Sequence, residues 1–257
     1  MNDIIKLLPE GKFKTNVICF YYSYFKKNDF KMVFKDDHFV VKFDNGIEIK
    51  SYDNPYGDDI KYLNKGYLKN YKLKEGDIVV DAGAYTGMFS IYAAKIVGSF
   101  GKIIAFEPDP INFEKLKKNI LLNRLENIIP INKGLWSKNT ILEFNVTGKG
   151  SSSVVEKKNS PVKTITKISV IRLDDELKKV GINKVNFVKM DIEGAEVEAI
   201  KGCSEILKTN NINLAIASYH IVNGTETHFE LEKLLLENGY NSIIGFPQHL
   251  TTYAWKE

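Results

Sequence analysis

The stretch Ile78-Val79-Val80-Asp81-Ala82-Gly83-Ala84-Tyr85-Thr86-Gly87 limits what this chain can fold into more than any other. A short apolar run ends in an acid and a glycine-bearing loop follows. Phe89, Ile91, Tyr92, Ala94 and Ile96 then give an apolar helix over Gly87–Val97. That is a strand feeding a helix through a tight loop, the repeating unit of a parallel α/β sheet. The unit recurs. Lys102–Phe106 reads as a strand, and Asp109 is placed to N-cap a helix with Pro110 at its first position. Asn127–Ile131, Val185–Met190 and Ile212–Ala217 read as strands, with helices expected at Asp174–Val180, Ala195–Leu207 and Glu226–Glu237. Asn241–Phe246 and Thr251–Trp255, around Pro247, close the pattern as two strands. The fold class is therefore α/β, a mainly parallel sheet with helices on both faces.

Two regions interrupt the alternation. Residues 1–70 carry an aromatic-rich helical segment, then the runs Lys31–Lys35, Phe39–Phe43 and Ile47–Ser51. Asp36-Asp37 and Asp44-Asn45-Gly46 separate them, and Asn-Gly between apolar runs is a hairpin signal. This predicts an N-terminal helical and hairpin accessory region over 1–70, packed on a main domain at 71–257. Within that domain an antiparallel insertion is expected at about 134–172, with Thr140–Val146 and Lys163–Ile171 flanking a Gly/Ser loop at Gly148–Ser153. A chain of 257 residues holds one such domain with an extension.

Cys19 and Cys203 lie far apart without metal spacing, so neither a disulfide framework nor a zinc site is expected. No apolar run reaches the roughly 20 residues of a membrane helix. The aromatic run Val17–Phe25 is short and is followed by Lys26-Lys27, which reads as a packed helix rather than a signal. A cytoplasmic location is the expectation. The formal charge is only +4, and of 36 basic residues only Arg124 and Arg172 are arginine. Specific phosphate and guanine reading favours the guanidinium fork, so nucleic acid is an unlikely partner.

In the loop after Asp81 the glycines are Gly83 and Gly87. A dinucleotide loop needs G-x-G-x-x-G, and its second glycine is missing. Gly83 lets a ligand approach the backbone, Asp81 sits where an amino group could meet it, and the helix start suits a carboxylate. A nucleoside bearing an amino-acid end, as in S-adenosylmethionine, fits better than a pyrophosphate. Without a ligand, the same residues would make a tight βα turn. Glu107 ends the next strand, in the place of the acid that binds ribose hydroxyls about 20 residues past such loops. Asp109 is explained by its cap. Asp191 ends a later strand in Lys189-Met190-Asp191-Ile192-Glu193-Gly194-Ala195-Glu196, where the helix dipole accounts for Glu196 and for Glu193 in part.

Val80–Gly87, Phe106-Glu107-Pro108 and Lys189–Glu196 resemble, in order and spacing, the signature segments of FkbM-type methyltransferases. The resemblance covers roughly residues 60–240. Gly150–Val154 and Leu173-Asp174 resemble the family as well. It implies a Rossmann-like class I methyltransferase fold, a mostly parallel seven-stranded sheet with an antiparallel last strand. It also implies S-adenosylmethionine as donor, with Asp81, Gly83, Ala84, Tyr85, Thr86, Glu107, Pro108 and Asp191 around it. The acceptor implied is a hydroxyl on a small molecule, sugar, glycan or lipid. Where the family often has an acid two positions before a histidine, this chain has Ser218-Tyr219-His220.

Methyl transfer to a hydroxyl needs alignment and a proton acceptor. His220, ending a strand on the ligand side, is the first candidate, and Asp191 the second. His38, His228 and His249 have no such placement in the sequence pattern. A divalent metal is a minor alternative: Asp191 and Glu193 are the only clustered carboxylates at this rim, with Asn223 as a further oxygen beside them, and no metal ligand set is assigned. An RNA methyltransferase, or a silent relative in which Ser218 marks lost activity, are the competing readings. The segment Asp191–Gly194 is not the proline-rich motif of exocyclic-amine methyltransferases.

Overall fold

Five largely buried strands form the middle of the molecule. The computed structural model describes residues 8–26, 28–56, 60–146, 153–154 and 164–257. In it β4 (Ile78–Ala82), β5 (Lys102–Phe106), β6 (Ile128–Ile131), β11 (Phe187–Met190) and β12 (Asn213–Ala217) run parallel. After a short antiparallel hairpin of β13 (Ile221–Val222) and β14 (Thr225–Glu226), β15 (Asn241–Gly245) and β16 (Thr251–Trp255) complete a seven-stranded sheet in the order β15-β16-β12-β11-β4-β5-β6. Only β16 runs against the direction of the other six, as the family resemblance implies.

Successive side chains alternate between the two faces. Val79, Ile103, Phe187 and Tyr253 face one apolar core, shared with α2 (Met88–Val97) and α3 (Pro110–Leu122). Val80, Ile104, Val188 and Ala254 face the other. That second core holds α4 (Leu173–Lys179), α5 (Glu196–Lys201), α6 (Ser204–Thr209) and α7 (His228–Glu237).

Asp109 caps α3 as its sequence position predicts, its Oδ1 accepting the N–H groups of Ile111 (2.8 Å) and Asn112 (3.3 Å). The single helix expected over Ala195–Leu207 is instead two, α5 and α6, broken at Gly202-Cys203. A side chain at Gly202 would run into the Trp136 carbonyl oxygen, so the chain gives up helical continuity where the insertion packs against it.

The N-terminal residues form α1 (Lys12–Tyr24) and an antiparallel sheet of β1 (Phe30–Lys35), β2 (His38–Phe43) and β3 (Glu48–Ser51). Asp36 and Asp37 both take positive φ, which the tight β1–β2 turn requires. Phe30, Met32, Val41 and Ile49 join the same apolar core as α2 and α3. Asparagines tie the regions together. Asn123 and Asn119 accept the backbone N–H groups of Lys50 and Tyr52, each at 2.9 Å. A 3₁₀ turn (Ile60–Tyr62) and a π-helical turn (Leu63–Tyr67) lead into β4.

The insertion is a small sheet of β7 (Gly134–Leu135), β8 (Thr140–Val146), β9 (Ser153–Val154) and β10 (Thr164–Ile171). β8 and β10 pair antiparallel, while β7 runs parallel to β10. Most of the expected Gly/Ser loop lies outside the described residues. Among the described residues, no helix is long and apolar enough to cross a membrane.

Candidate active site

The loop after β4 is held from below. Lys189 lies beside Asp81 in the β4–β11 register. Both side chains are fully buried, with Lys189 Nζ 3.2 Å from Asp81 Oδ1 and donating to the Gly83 carbonyl at 2.7 Å. Ser90 donates to Asp81 Oδ2 at 2.6 Å. Asp81 was expected to meet a ligand's amino group; the structure gives its carboxylate protein partners, so it frames the loop from within. The reason for Gly83 also changes. It has φ +79°, and a Cβ there would collide with the Asp191 carbonyl oxygen. The absent side chain thus lets the end of β11 close against the loop, rather than only admitting a ligand.

Gly83 and Ala84 donate their N–H groups to the Phe106 carbonyl at 3.0 and 2.9 Å, which ties the loop to the end of β5. Tyr85 takes φ +52°, an unfavourable conformation for a side-chain-bearing residue, and its N–H donates to Glu107 Oε2 at 2.7 Å. Glu107 Oε1 accepts from Asp109 N–H at 2.9 Å. Burial pushes the Glu107 pKa from 4.5 up to about 7, against the pull of those two N–H groups. Thr86 is fully buried, and its hydroxyl has no hydrogen-bond partner among the described residues. Pro108 lines a small apolar slot with Gly83, Phe106, Leu135, Trp136 and Ile192.

On the other side of Gly83 a polar cluster assembles around Asp191. Tyr67 donates its hydroxyl to Asp191 Oδ2 at 2.7 Å, and His249 Nε2 lies 3.4 Å from the same oxygen. His220 Nε2 lies 3.8 Å from Asp191 Oδ1 and 3.7 Å from Glu193 Oε2. Its Nδ1 is 3.1 Å from Glu196 Oε1, an ion-pair contact rather than an aligned hydrogen bond. Burial would raise the Asp191 pKa. The hydrogen bond with His249 and the charges of Lys189 and the two histidines outweigh it, holding the carboxyl well below its usual range. Burial would likewise lower His220, but Glu196, Asp191 and Glu193 raise it to about 9. Ser218 is fully buried between Leu250 and Thr252.

The pattern of the methyltransferase FkbM domain matches residues 81–242, more than half of the chain. The chain belongs to the FkbM methyltransferase family. Methyltransferase sdnD of Sordaria araneosa is 29% identical over 165 residues, covering 52% of this chain and 62% of that protein. Hexuronic acid methyltransferase AglP of Haloferax volcanii is 30% identical over 154 residues, 58% of each chain. The chain thus spans about three-fifths of the length of these curated relatives. Among solved structures, an FkbM methyltransferase of Methylobacillus flagellatus KT aligns over 73% of this chain and 45% of its own. Its TM-score is 0.55 and its identity 21%. Aeropyrum pernix fibrillarin, with natively bound S-adenosylmethionine, aligns over 89% of this chain and 99% of its own, with a TM-score of 0.50 and 14% identity. Both likenesses are of fold.

In this member of the FkbM family the structure brings Asp191, Glu193 and His220 to one rim and places Glu107 across the loop from them. The sequence reading gave Tyr67, His249, Glu196 and Lys189 no place there. Glu196 looked like an ordinary first-turn acid, yet it is fully buried, its Oε1 accepting the N–H groups of Ile192 (2.9 Å) and Gly194 (3.3 Å). His249 had a legible signal. β16 runs antiparallel beside β12, so the turn before it must sit at the carboxyl ends of the parallel strands.

Proposed function

We propose that this chain transfers the methyl group of S-adenosylmethionine to a hydroxyl oxygen of a small molecule, a sugar, or a glycan or lipid. The observation that carries the donor is Glu107. It is a buried carboxylate at the end of β5, touching the backbone of the very loop that follows β4. Each oxygen there uses one lone pair on an N–H group and keeps another for a ribose hydroxyl. The loop Gly83–Gly87 and the start of α2 would take the amino-acid end, and the apolar slot beside Pro108 the base. The sugar class of acceptor is supported by the relative named as a hexuronic acid methyltransferase.

The sulfonium leaves as a neutral thioether, so the protein's work is alignment and handling of the acceptor's proton. Asp191, held ionised, orients the hydroxyl; its depressed pKa makes it a weak base. His220, carrying a proton at neutral pH, has to shed it before taking another. The test is a calorimetric titration with S-adenosylmethionine, followed by labelled-methyl transfer to a panel of uronic acids and their amino-sugar counterparts. Two charge-assisted bonds lost in Glu107→Ala weaken the donor by about 100-fold or more. Unchanged affinity in that variant removes Glu107 from the donor site, and methyl found on nitrogen removes the oxygen assignment.

A further inference from the structure

Asp191, Glu196 and His220 come from three elements: the end of β11, the first turn of α5 and the segment after β12. One donor atom from each lies within 4.8 Å of the other two. Glu196 is fully buried and its Oε2 has no hydrogen-bond partner among the described residues, where only Oε1 is engaged by the Ile192 and Gly194 N–H groups. Both ring nitrogens of His220 are likewise shut off from solvent without an aligned hydrogen-bond partner among the described residues. Buried polar atoms normally find a partner. His220 Nδ1 already meets Glu196 Oε1 at 3.1 Å, which leaves His220 Nε2 and Glu196 Oε2 as the atoms that call for a further ligand. Glu193 adds a third carboxylate, 3.7 Å from His220 Nε2, and His249 a second imidazole, 3.4 Å from Asp191 Oδ2. The Lys189 ammonium, whose charge acts on Asp191, is committed to Asp81 and the Gly83 carbonyl.

We propose that Asp191, Glu196 and His220 bind a divalent first-row transition ion, with His249 and Glu193 at its edge. Donors around an ion with bonds of about 2.1 Å stand roughly 3 Å apart when adjacent and roughly 4 Å when opposite. From separations of at most 4.8 Å, the cluster reaches that closure by a contraction of up to about 0.8 Å for an opposite pair and up to about 1.8 Å for an adjacent one, which side-chain rotation supplies. Imidazole donors select manganese through zinc over magnesium or calcium. The side chains of Asp191 and Glu193 are 13% and 31% exposed, which leaves positions open to water or an acceptor. The role of the ion rests on the methyl-transfer reading, but the site does not. Beside the reacting oxygen it lowers the hydroxyl's pKa, so that the proton passes to water. The oxygen then forms the O–CH3 bond while the S–CH3 electron pair returns to sulfur.

The experiment titrates Mn2+ alone, and separately Zn2+ and Mg2+, into the full chain after chelation and desalting. Calorimetry reads the stoichiometry and Mn2+ electron paramagnetic resonance the coordination. One Mn2+ or Zn2+ per chain, held at least about ten-fold more weakly by both Glu196→Gln and His220→Gln, is the expected result. Gln at 196 keeps an oxygen for the Ile192 and Gly194 N–H groups, and thermal melts without metal report whether each variant folds. If Glu196→Gln does not fold, His220→Gln and the resonance signal of the unaltered chain decide. No saturable ion, or equal affinity in the folded variants, overturns the site. S-adenosylmethionine titrated into the same stripped protein tests the transfer reading separately, since its failure leaves the ion's affinity untouched.

Discussion

Glu107→Gln separates the charge of this carboxyl from its shape. Unfolded, the group titrates near 4.5; in the fold, burial raises it to about 7. A raised carboxyl pKa means that the folded state holds the proton more tightly, so stability is greatest at low pH and falls as pH rises from 4.5 to 7. Ionising Glu107 in place therefore costs about 3 kcal/mol above that window, of which about 2 to 3 falls between pH 5 and pH 8. Asp109 adds to the cost and Lys189 subtracts from it. Glutamine does not titrate, but its amide nitrogen must face either the Tyr85 or the Asp109 N–H, leaving one donor unmet at about 1 to 3 kcal/mol. The unaltered chain should be the more stable of the two at pH 5. Its advantage should shrink by about 2 to 3 kcal/mol by pH 8. Urea unfolding of both proteins at pH 5, 6, 7 and 8 measures the difference, in which every other titrating group cancels. A difference that stays constant across the series would refute the reasoning, because it would mean that Glu107 enters the fold already charged.

Lys189→Met takes the buried cation from Asp81 and leaves it, among the described residues, the Ser90 hydroxyl, and should destabilise the fold by about 3 to 5 kcal/mol; adding Asp81→Asn should restore a large part of that in urea unfolding. Asp109→Ala removes the acceptor of the Ile111 and Asn112 N–H groups and should cost about 1 kcal/mol, read as a lower urea midpoint with an unchanged slope. Gly83→Ala sets a methyl against the Asp191 carbonyl at φ +79°, and should lower stability by at least about 2 kcal/mol. A melt equal to that of the unaltered chain would show that the loop and β11 separate freely.

What the sequence made legible is what local chemistry decides. The β4 loop, the Asp109 cap and the Asn45-Gly46 turn each depend on neighbours a few residues away, and each is readable from those neighbours. The break at Gly202 depends on Trp136, which reaches it from the insertion. Asp81 reads as a ligand partner until Lys189 arrives beside it through the β4–β11 register. Glu196 has the composition of a dipole-stabilising surface acid, and only the packing of α5 against the segment after β12 turns it inward toward His220.

His249 marks where topology could have replaced proximity. β12 runs from Asn213 to Ala217 and ends beside Ser218-Tyr219-His220, on the side where every parallel strand of the sheet delivers its carboxyl end. β16 pairs with it in the opposite sense, Thr251 opposite Ala217. The residues just before Thr251 therefore have to arrive at that same edge, and His249 is two positions away. The π-helical turn completes the enclosure: Tyr253 of β16 donates its hydroxyl to the Gly66 carbonyl at 2.8 Å, which fixes Tyr67 with its own hydroxyl on Asp191. An antiparallel last strand thus does more than finish a sheet. It folds the C-terminal hairpin over the strand ends and draws the segment preceding β4 in beneath it, so that residues 67 and 249 meet at a carboxylate fixed by β11.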